Sequence, residues 1–116
     1  MRIGWLLLVA PMLAHSESCL VHSQGQGVDV QICQHNINIP SQMFHDEFCQ
    51  PHLKGQKINI SYSDQCPSQA FALCKNAQAG SFYQQDIYYY GVASDARFLK
   101  PVCEQQYHGH WHNLVN

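Results

Sequence analysis

In VDVQIC, residues 28 to 33, the branched apolar residues Val28, Val30 and Ile32 alternate with Asp29, Gln31 and Cys33. Strict alternation is typical of a strand that buries one face. KINISY, residues 57 to 62, repeats the pattern, and SFYQQDIYYY, residues 81 to 90, is a third strand-like run rich in aromatic residues. The sequence therefore predicts several short strands.

Three segments between and after these runs have helical spacing. Residues 41 to 49 predict a short helix, and residues 67 to 79 predict a longer one that begins at Pro67. Residues 94 to 103 predict a third helix, kinked at Pro101 because proline lacks the amide donor. No internal repeat is apparent. We therefore expect an α+β domain with a small antiparallel sheet and two or three short helices, stapled by three disulfides.

The first 16 residues resemble a secretory signal peptide. Met1 and Arg2 precede an apolar run of about a dozen residues, too short to span a bilayer, and a small-residue cleavage pattern follows. We expect cleavage after Ser16, which leaves residues 17 to 116 as a single secreted domain with a polar C-terminal tail. A cut after Ala14 would instead expose a copper-chelating His15, but Met12 fits that cleavage pattern poorly.

The six cysteines all follow the predicted signal peptide. An even number of cysteines in a small secreted chain indicates three disulfides. A pairing of Cys66 with Cys74 is excluded if both lie on one helix, because they would be about 12 Å apart. No CxxC pair is present, which argues against the usual redox and zinc spacings. The six are Cys19, Cys33, Cys49, Cys66, Cys74 and Cys103.

The charge is low, with six Lys and Arg against eight Asp and Glu and a formal net charge of −2. Because nucleic-acid binding depends on Lys and Arg contacts to phosphate, a nucleic-acid partner is not expected. We also expect no membrane span, no cofactor and a monomeric chain.

The aromatic strand is the predicted binding surface. Tyr88 and Tyr90 share one face of it and Tyr89 lies on the other, so a share of these side chains is expected to be exposed. The competing interpretation is ordinary core packing with hydrogen-bonded hydroxyls. Asn59, in the sequon Asn59-Ile60-Ser61, is a candidate glycosylation site on the exposed face of its strand.

HGHWH, residues 108 to 112, raises the possibility of a metal site. In a strand, neighbouring members of His108, His110 and His112 would be roughly 6.5 Å apart on one face, close enough for two of them to share a zinc or copper ion. No third ligand lies nearby in the sequence, so a polar tail is the favoured interpretation.

An enzyme is not favoured, because no recognised catalytic motif is present. The alternative is a small hydrolase or toxin of the ribonuclease kind, in which histidine works with a glutamate such as Glu47 or Glu104 and with Arg97.

In its cysteine spacing and in the segments CPSQAFALC and QDIYYYGVASDARFLKPVCEQQ, the chain resembles small secreted cysteine-rich proteins of filamentous fungi. Many of these are candidate effectors. The resemblance implies a non-enzymatic virulence protein that binds a host or extracellular protein or glycan in the host apoplast or after uptake by the host cell. It implies no cofactor and transfers no catalytic residue.

Overall fold

A computed structural model describes residues 17–25, 27–50 and 55–115 of the chain. The predicted signal peptide lies outside the described residues. Six antiparallel strands form one sheet in the order β3-β1-β2-β5-β4-β6. The strands are β1 (Ser18–Gly25), β2 (Val28–Asn36), β3 (Lys57–Ser63), β4 (Ala72–Ala79), β5 (Tyr83–Tyr90) and β6 (His110–Asn113).

Two short helices link these strands. The helix α1 (Ser41–Met43) runs directly into a π-helical turn (Phe44–Phe48). A 3₁₀ turn (Ala93–Asp95) leads into α2 (Ala96–Pro101), which continues as a second π-helical turn (Val102–Gln106). The change of helix type at Pro101 is the interruption that its missing amide predicts. Among the described residues, no helix has the length and apolar character needed to cross a membrane.

The fold contains an internal repeat that the sequence does not reveal. In the first unit, β1 and β2 form a hairpin, α1 follows, and β3 returns to pair with β1. In the second unit, β4 and β5 form a hairpin, α2 follows, and β6 returns to pair with β4. The order β3-β1-β2 in one unit therefore matches the order β6-β4-β5 in the other.

The strand register relates the two units by an approximate two-fold axis through the β2–β5 pair. Gln34 lies opposite Cys19 in the first hairpin, and Ile87 lies opposite Cys74 in the second. Gln34 and Ile87 also lie opposite each other where the units meet. Such an axis is perpendicular to the sheet, and both helices accordingly lie on the same face of it, which we call the helical face.

Two equivalent disulfides fasten the helical segments to the sheet. Cys19 in β1 is bonded to Cys49, and Cys74 in β4 is bonded to Cys103. All four residues are fully buried and form the centres of two hydrophobic clusters, one for each unit. The disulfides are compatible with an extracellular protein.

The third disulfide holds the connection between the two units. Residues 64 to 71, which we call the strap, cross from β3 to β4 over the sheet face opposite the helices. Cys66 in the strap is bonded to Cys33 in β2, and the Tyr90 hydroxyl donates a hydrogen bond to the Pro67 carbonyl at 2.7 Å. The pairing of Cys66 with Cys74 is absent, as expected, although the two residues do not bound a helix.

The helix predicted over residues 67 to 79 is wrong, because this stretch contains part of the strap and β4. A bulge between Cys74 and Ala77 inserts an extra residue, Asn76, with a left-handed φ of 56°. Inward-facing residues therefore fall at 72, 74, 77 and 79, a spacing that imitates helical periodicity. The Asp86 carboxylate accepts a hydrogen bond from the Asn76 backbone amide at 2.8 Å. It thereby provides a partner for the amide of the bulged residue.

The segment predicted to be a polar tail contains a strand, β6, which is paired to the sheet. Strand β6 pairs with β4, with Trp111 opposite Cys74. Trp111 packs against Tyr89, with 5.5 Å between the ring centroids. The exposed histidines of HGHWH thus alternate with an apolar anchor that holds the strand on the sheet.

Candidate functional site

The three strand tyrosines separate as the alternation predicts. Tyr89 is buried on the helical face, where burial raises the pKa of its hydroxyl above the usual value. Tyr88 and Tyr90 point to the opposite face and are half-buried beside the strap. Burial, together with the neighbouring Tyr88 hydroxyl, raises the pKa of Tyr90 to about 12. Tyr88 and Tyr90 therefore support the strap as well as contributing surface.

An exposed apolar surface lies next to Tyr90, between the start of β2 and the start of the α2 region. A cavity of about 210 Å³ separates these elements. Val30 is 46 % exposed, and Val92 and Phe98 are each 63 % exposed. Asp29 and Asp95 also border this cavity, which we call the groove. Its apolar lining consists of Val30, Ile32, Tyr89, Val92, Phe98 and Leu99.

The exposure of Phe98 follows from helix geometry. Phe44 and Phe98 precede the half-cystines Cys49 and Cys103 by the same number of residues. The π-helical turn in the first unit bonds the Cys49 amide to the Phe44 carbonyl at 2.9 Å and brings Phe44 into the core. An α-helix turns about 100° per residue, which directs Phe98 roughly 140° away from Cys103. Phe98 therefore lies on the surface beside the groove.

A second cavity, of about 470 Å³, lies at the start of β1 and the end of β3. Its residues are Glu17, Ser18, Ser41, His45, Tyr62, Ser63 and Asp64, and we call it the cleft. At its inner wall, Glu17 accepts hydrogen bonds from Asn36 Nδ2 at 2.9 Å, Ser41 Oγ at 2.7 Å and His45 Nε2 at 3.0 Å. These bonds tie Glu17, which immediately precedes β1, to the β2–α1 connection.

The charge on Glu17 determines the tautomer of His45. Burial raises the pKa of the Glu17 carboxyl, but the bonds from Ser41, Asn36 and His45 outweigh burial and hold the pKa below its usual value. An ionised carboxylate only accepts hydrogen bonds, so Nε2 of His45 carries the proton in this contact. The His45 ring is stacked on Tyr62, with 4.4 Å between centroids and 19° between planes.

The C-terminal histidines are only partly brought together. His110 and His112 lie on the exposed face of β6, opposite Lys75 and Leu73 respectively. His108 precedes the strand in a left-handed conformation, with a φ of 53°. The described residues contain no group of three potential metal ligands. Of the predicted metal ligands, only His110 and His112 share a strand face, and Lys75 lies opposite His110.

The remaining predicted residues lie apart from the cleft. Asn59 is exposed on the strap face of β3, as the alternation predicts, and faces the same side as His22. Glu47 and Glu104 are exposed on their helical turns. The Arg97 guanidinium lies over the Phe98 ring at 4.8 Å, beside the groove in the second unit.

Sequence reasoning missed both cavities. Glu17 lies next to the predicted cleavage site and belongs to no motif, and its partners are far from it in sequence. The alternation in β3 does place Tyr62 on the inward face, but it does not predict the imidazole stacked upon it. For Phe98, the sequence does carry a signal of exposure, because an α-helix directs this residue away from the half-cystine Cys103.

No protein-family model matches the chain, and no curated protein or solved structure is significantly similar to it.

Proposed function

We propose that the chain is a secreted, non-enzymatic interaction protein that binds a host or extracellular protein through the groove, as expected for the fungal effectors that it resembles. The observation that carries this proposal is the exposure of Phe98, Val92 and Val30 around one cavity. Contiguous exposed apolar side chains are typical of interaction sites in soluble proteins.

The groove favours a partner with an apolar anchor beside basic residues. Its interior is apolar, and Asp29 and Asp95 border it. The Asp29 carboxylate is directed to the strap face, where His22 contacts it at 2.6 Å, so Asp95 supplies the negative charge on the helical side of the groove. A protein segment that inserts an aromatic or aliphatic side chain and carries Lys or Arg beside it matches both properties. The Cys33–Cys66 and Cys74–Cys103 disulfides constrain β2 and the segment that follows α2, and a constrained scaffold loses less conformational freedom on binding.

The test is selection of peptides from a random display library on the folded wild-type protein. Enriched peptides should combine an apolar anchor with Lys or Arg, and Phe98→Ser should weaken their binding at least tenfold. Phe82→Ser is the matched control, because Phe82 is 85 % exposed on the β4–β5 turn, away from the groove. Affinity capture from host extract should then retain a protein on the wild type and on Phe82→Ser that Phe98→Ser does not retain.

Two results would contradict this function. Selected peptides whose binding is unchanged by Phe98→Ser would place the interaction elsewhere. Failure to enrich any peptide above the level found with Phe98→Ser would remove the groove as a protein-binding site.

A hydrolase is the second candidate, and the Glu17–His45 contact favours it. A carboxylate that orients a histidine is a recurring part of acid–base sites. However, no Lys or Arg of the described residues lines the cleft, so the charge of a phosphodiester would not be neutralised there. Incubation of RNA with the wild type and His45→Ala between pH 4 and pH 8 tests this candidate. Cleavage lost in His45→Ala would favour the hydrolase over the binding protein.

A further inference from the structure

The internal repeat allows the cleft to be compared with the corresponding place in the second unit. Tyr62 and Trp111 are equivalent, since they lie opposite Cys19 and Cys74. Glu17 precedes Cys19 by the same number of residues as Ala72 precedes Cys74. His45 and Leu99 are likewise equivalent, because each precedes its half-cystine, Cys49 or Cys103, by the same number of residues.

At the positions equivalent to the cleft, the second unit has apolar side chains. Ala72 is fully buried, and Leu99 and Trp111 pack against the cluster around the Cys74–Cys103 disulfide. Closing this corner of the fold therefore requires no charged or hydrogen-bonded side chain. Apolar packing at such a place is often as stabilising as a polar network or more so, because polar groups lose hydration when they are buried.

The first unit instead has Glu17, His45 and Tyr62, and an open cavity. Glu17 is held in place by three donors, and it orients His45 in turn. One face of the Tyr62 ring is covered by His45, while the residue remains 47 % exposed. Ser41, Ser63 and Asp64 complete the polar lining. The polar network therefore presents a fixed aromatic ring and several hydrogen-bonding groups to solvent.

The chemistry of this lining selects among classes of ligand. Anionic ligands meet two carboxylates, Glu17 and Asp64, and no described Lys or Arg in the lining. Hydroxyl, imidazole and carboxylate groups all form hydrogen bonds with the hydroxyl groups of a sugar. The open face of Tyr62 suits the apolar C–H face of a pyranose ring, since tyrosine is apolar on its faces and polar at its tip. The cavity lies within the range of about 300–1,000 Å³ common for small-ligand sites.

From these observations, we infer that the cleft is a binding site for a neutral sugar unit of an extracellular glycan. Tyr62 stacks on the sugar ring through the face that His45 leaves open, Ser63 and Asp64 bond the sugar hydroxyl groups, and His45 holds the tyrosine ring in place from its other face. Glu17 is a positioning residue, because its two oxygens are already occupied by Asn36, Ser41 and His45. The cleft is independent of the groove, because the two cavities share no lining residue.

The test is an NMR titration of the ¹⁵N-labelled, fully oxidised protein with cellotriose, xylotriose, mannotriose and laminaritriose. At least one of these neutral trisaccharides should shift the amide signals of His45, Tyr62 and Ser63. Tyr62→Ala should weaken that binding at least tenfold. Tyr107→Ala is the matched control, because Tyr107 is 36 % exposed and belongs to the second unit.

A second variant keeps the test independent of folding defects. Glu17→Ala combined with His45→Leu installs the side chains that the second unit uses at these positions. It should retain the near-UV circular dichroism of the wild type and lose trisaccharide binding. Retention of binding in this variant would overturn the inference.

Three further results would also overturn it. They are the absence of shifts with all four trisaccharides, binding that survives Tyr62→Ala, and a preference for trigalacturonic acid or triarginine over every neutral sugar. The last result would assign the cleft to a charged ligand. Each of them leaves the groove and its peptide assay unaffected, so the two proposals fail separately.

Discussion

Replacing Glu17 by Gln tests whether the network around this residue fastens the N-terminal strand to the first helical segment. Gln has the same shape but no charge, and its amide nitrogen would face one of three donors. Hydrogen bonds to charged groups contribute about 1.5–3 kcal/mol each. The Glu17 side chain is 20 % exposed and that of His45 is 41 % exposed, so solvent screening reduces their contribution. We expect a loss of about 2 kcal/mol in the free energy of unfolding at pH 7, which in a domain of this size lowers Tm by roughly 8–16 °C.

The pH dependence of this loss has a definite sign. The folded-state pKa of Glu17 lies below its unfolded value, so the carboxylate contributes fully above the unfolded pKa of about 4.3. This contribution disappears as the pH falls through the folded-state pKa, where Glu17 becomes protonated. The Gln variant does not titrate at this position. The stability difference between wild type and variant should therefore be largest at neutral pH and shrink below about pH 4.

Urea denaturation of both proteins at pH 7, 5 and 3, followed by circular dichroism, measures this difference. Glu104→Gln is the control, because Glu104 is an exposed carboxylate on the second π-helical turn. Equal stability of wild type and Glu17→Gln at pH 7 would refute the reasoning. A difference that grows as the pH falls would refute it equally.

Three other substitutions test the scaffold. Replacing Cys33 and Cys66 together by Ala opens a loop with a sequence separation of 33. The free energy of unfolding, measured by urea denaturation, should fall by about 4 kcal/mol. A loss under about 1 kcal/mol would show that the strap stays in place without this disulfide. Gly109→Ala places a Cβ atom 2.6 Å from Cys74 Sγ, so the amides of β6 should lose protection in hydrogen exchange, whereas unchanged protection would contradict the close approach. Tyr90→Phe removes one exposed hydrogen bond at 2.7 Å and should destabilise by about 0.5–1 kcal/mol in thermal melts, and a larger loss would mean that the hydroxyl has further partners.

The strands that could be predicted from the sequence are those in which side chains alternate without interruption. The runs around Ile32 and Ile60 form β2 and β3, and the aromatic run forms β5. The sequence of β4 has helical spacing because the bulge at Asn76 shifts its inward residues by one position. A bulge is stabilised by a contact distant in sequence, here with Asp86, so a local pattern does not reveal it.

The repeat and the two cavities are harder to predict, for a related reason. The units share their strand connections, which backbone pairing determines, and the position of one disulfide, which six cysteines do not reveal because they allow fifteen pairings. Equivalent positions carry unlike residues, such as His45 and Leu99, so the sequence shows no periodic similarity. The cleft requires β1, β3 and the helical segment to meet, which becomes apparent only once their pairing is known.

Both candidate sites lie where the two units differ. In the first unit Phe44 is buried by a π-helical turn, and in the second unit Phe98 is directed to the surface. In the second unit Trp111 and Leu99 close a corner of the fold, and in the first unit Tyr62 and His45 leave it open. Since the same topology tolerates either arrangement, stability of the fold alone does not require an exposed phenylalanine or a polar cleft. Phe98 and Tyr62, at which the two units differ, are therefore positions where substitution should change binding more than folding, and variants of one should leave the other site intact because the groove and the cleft share no residue.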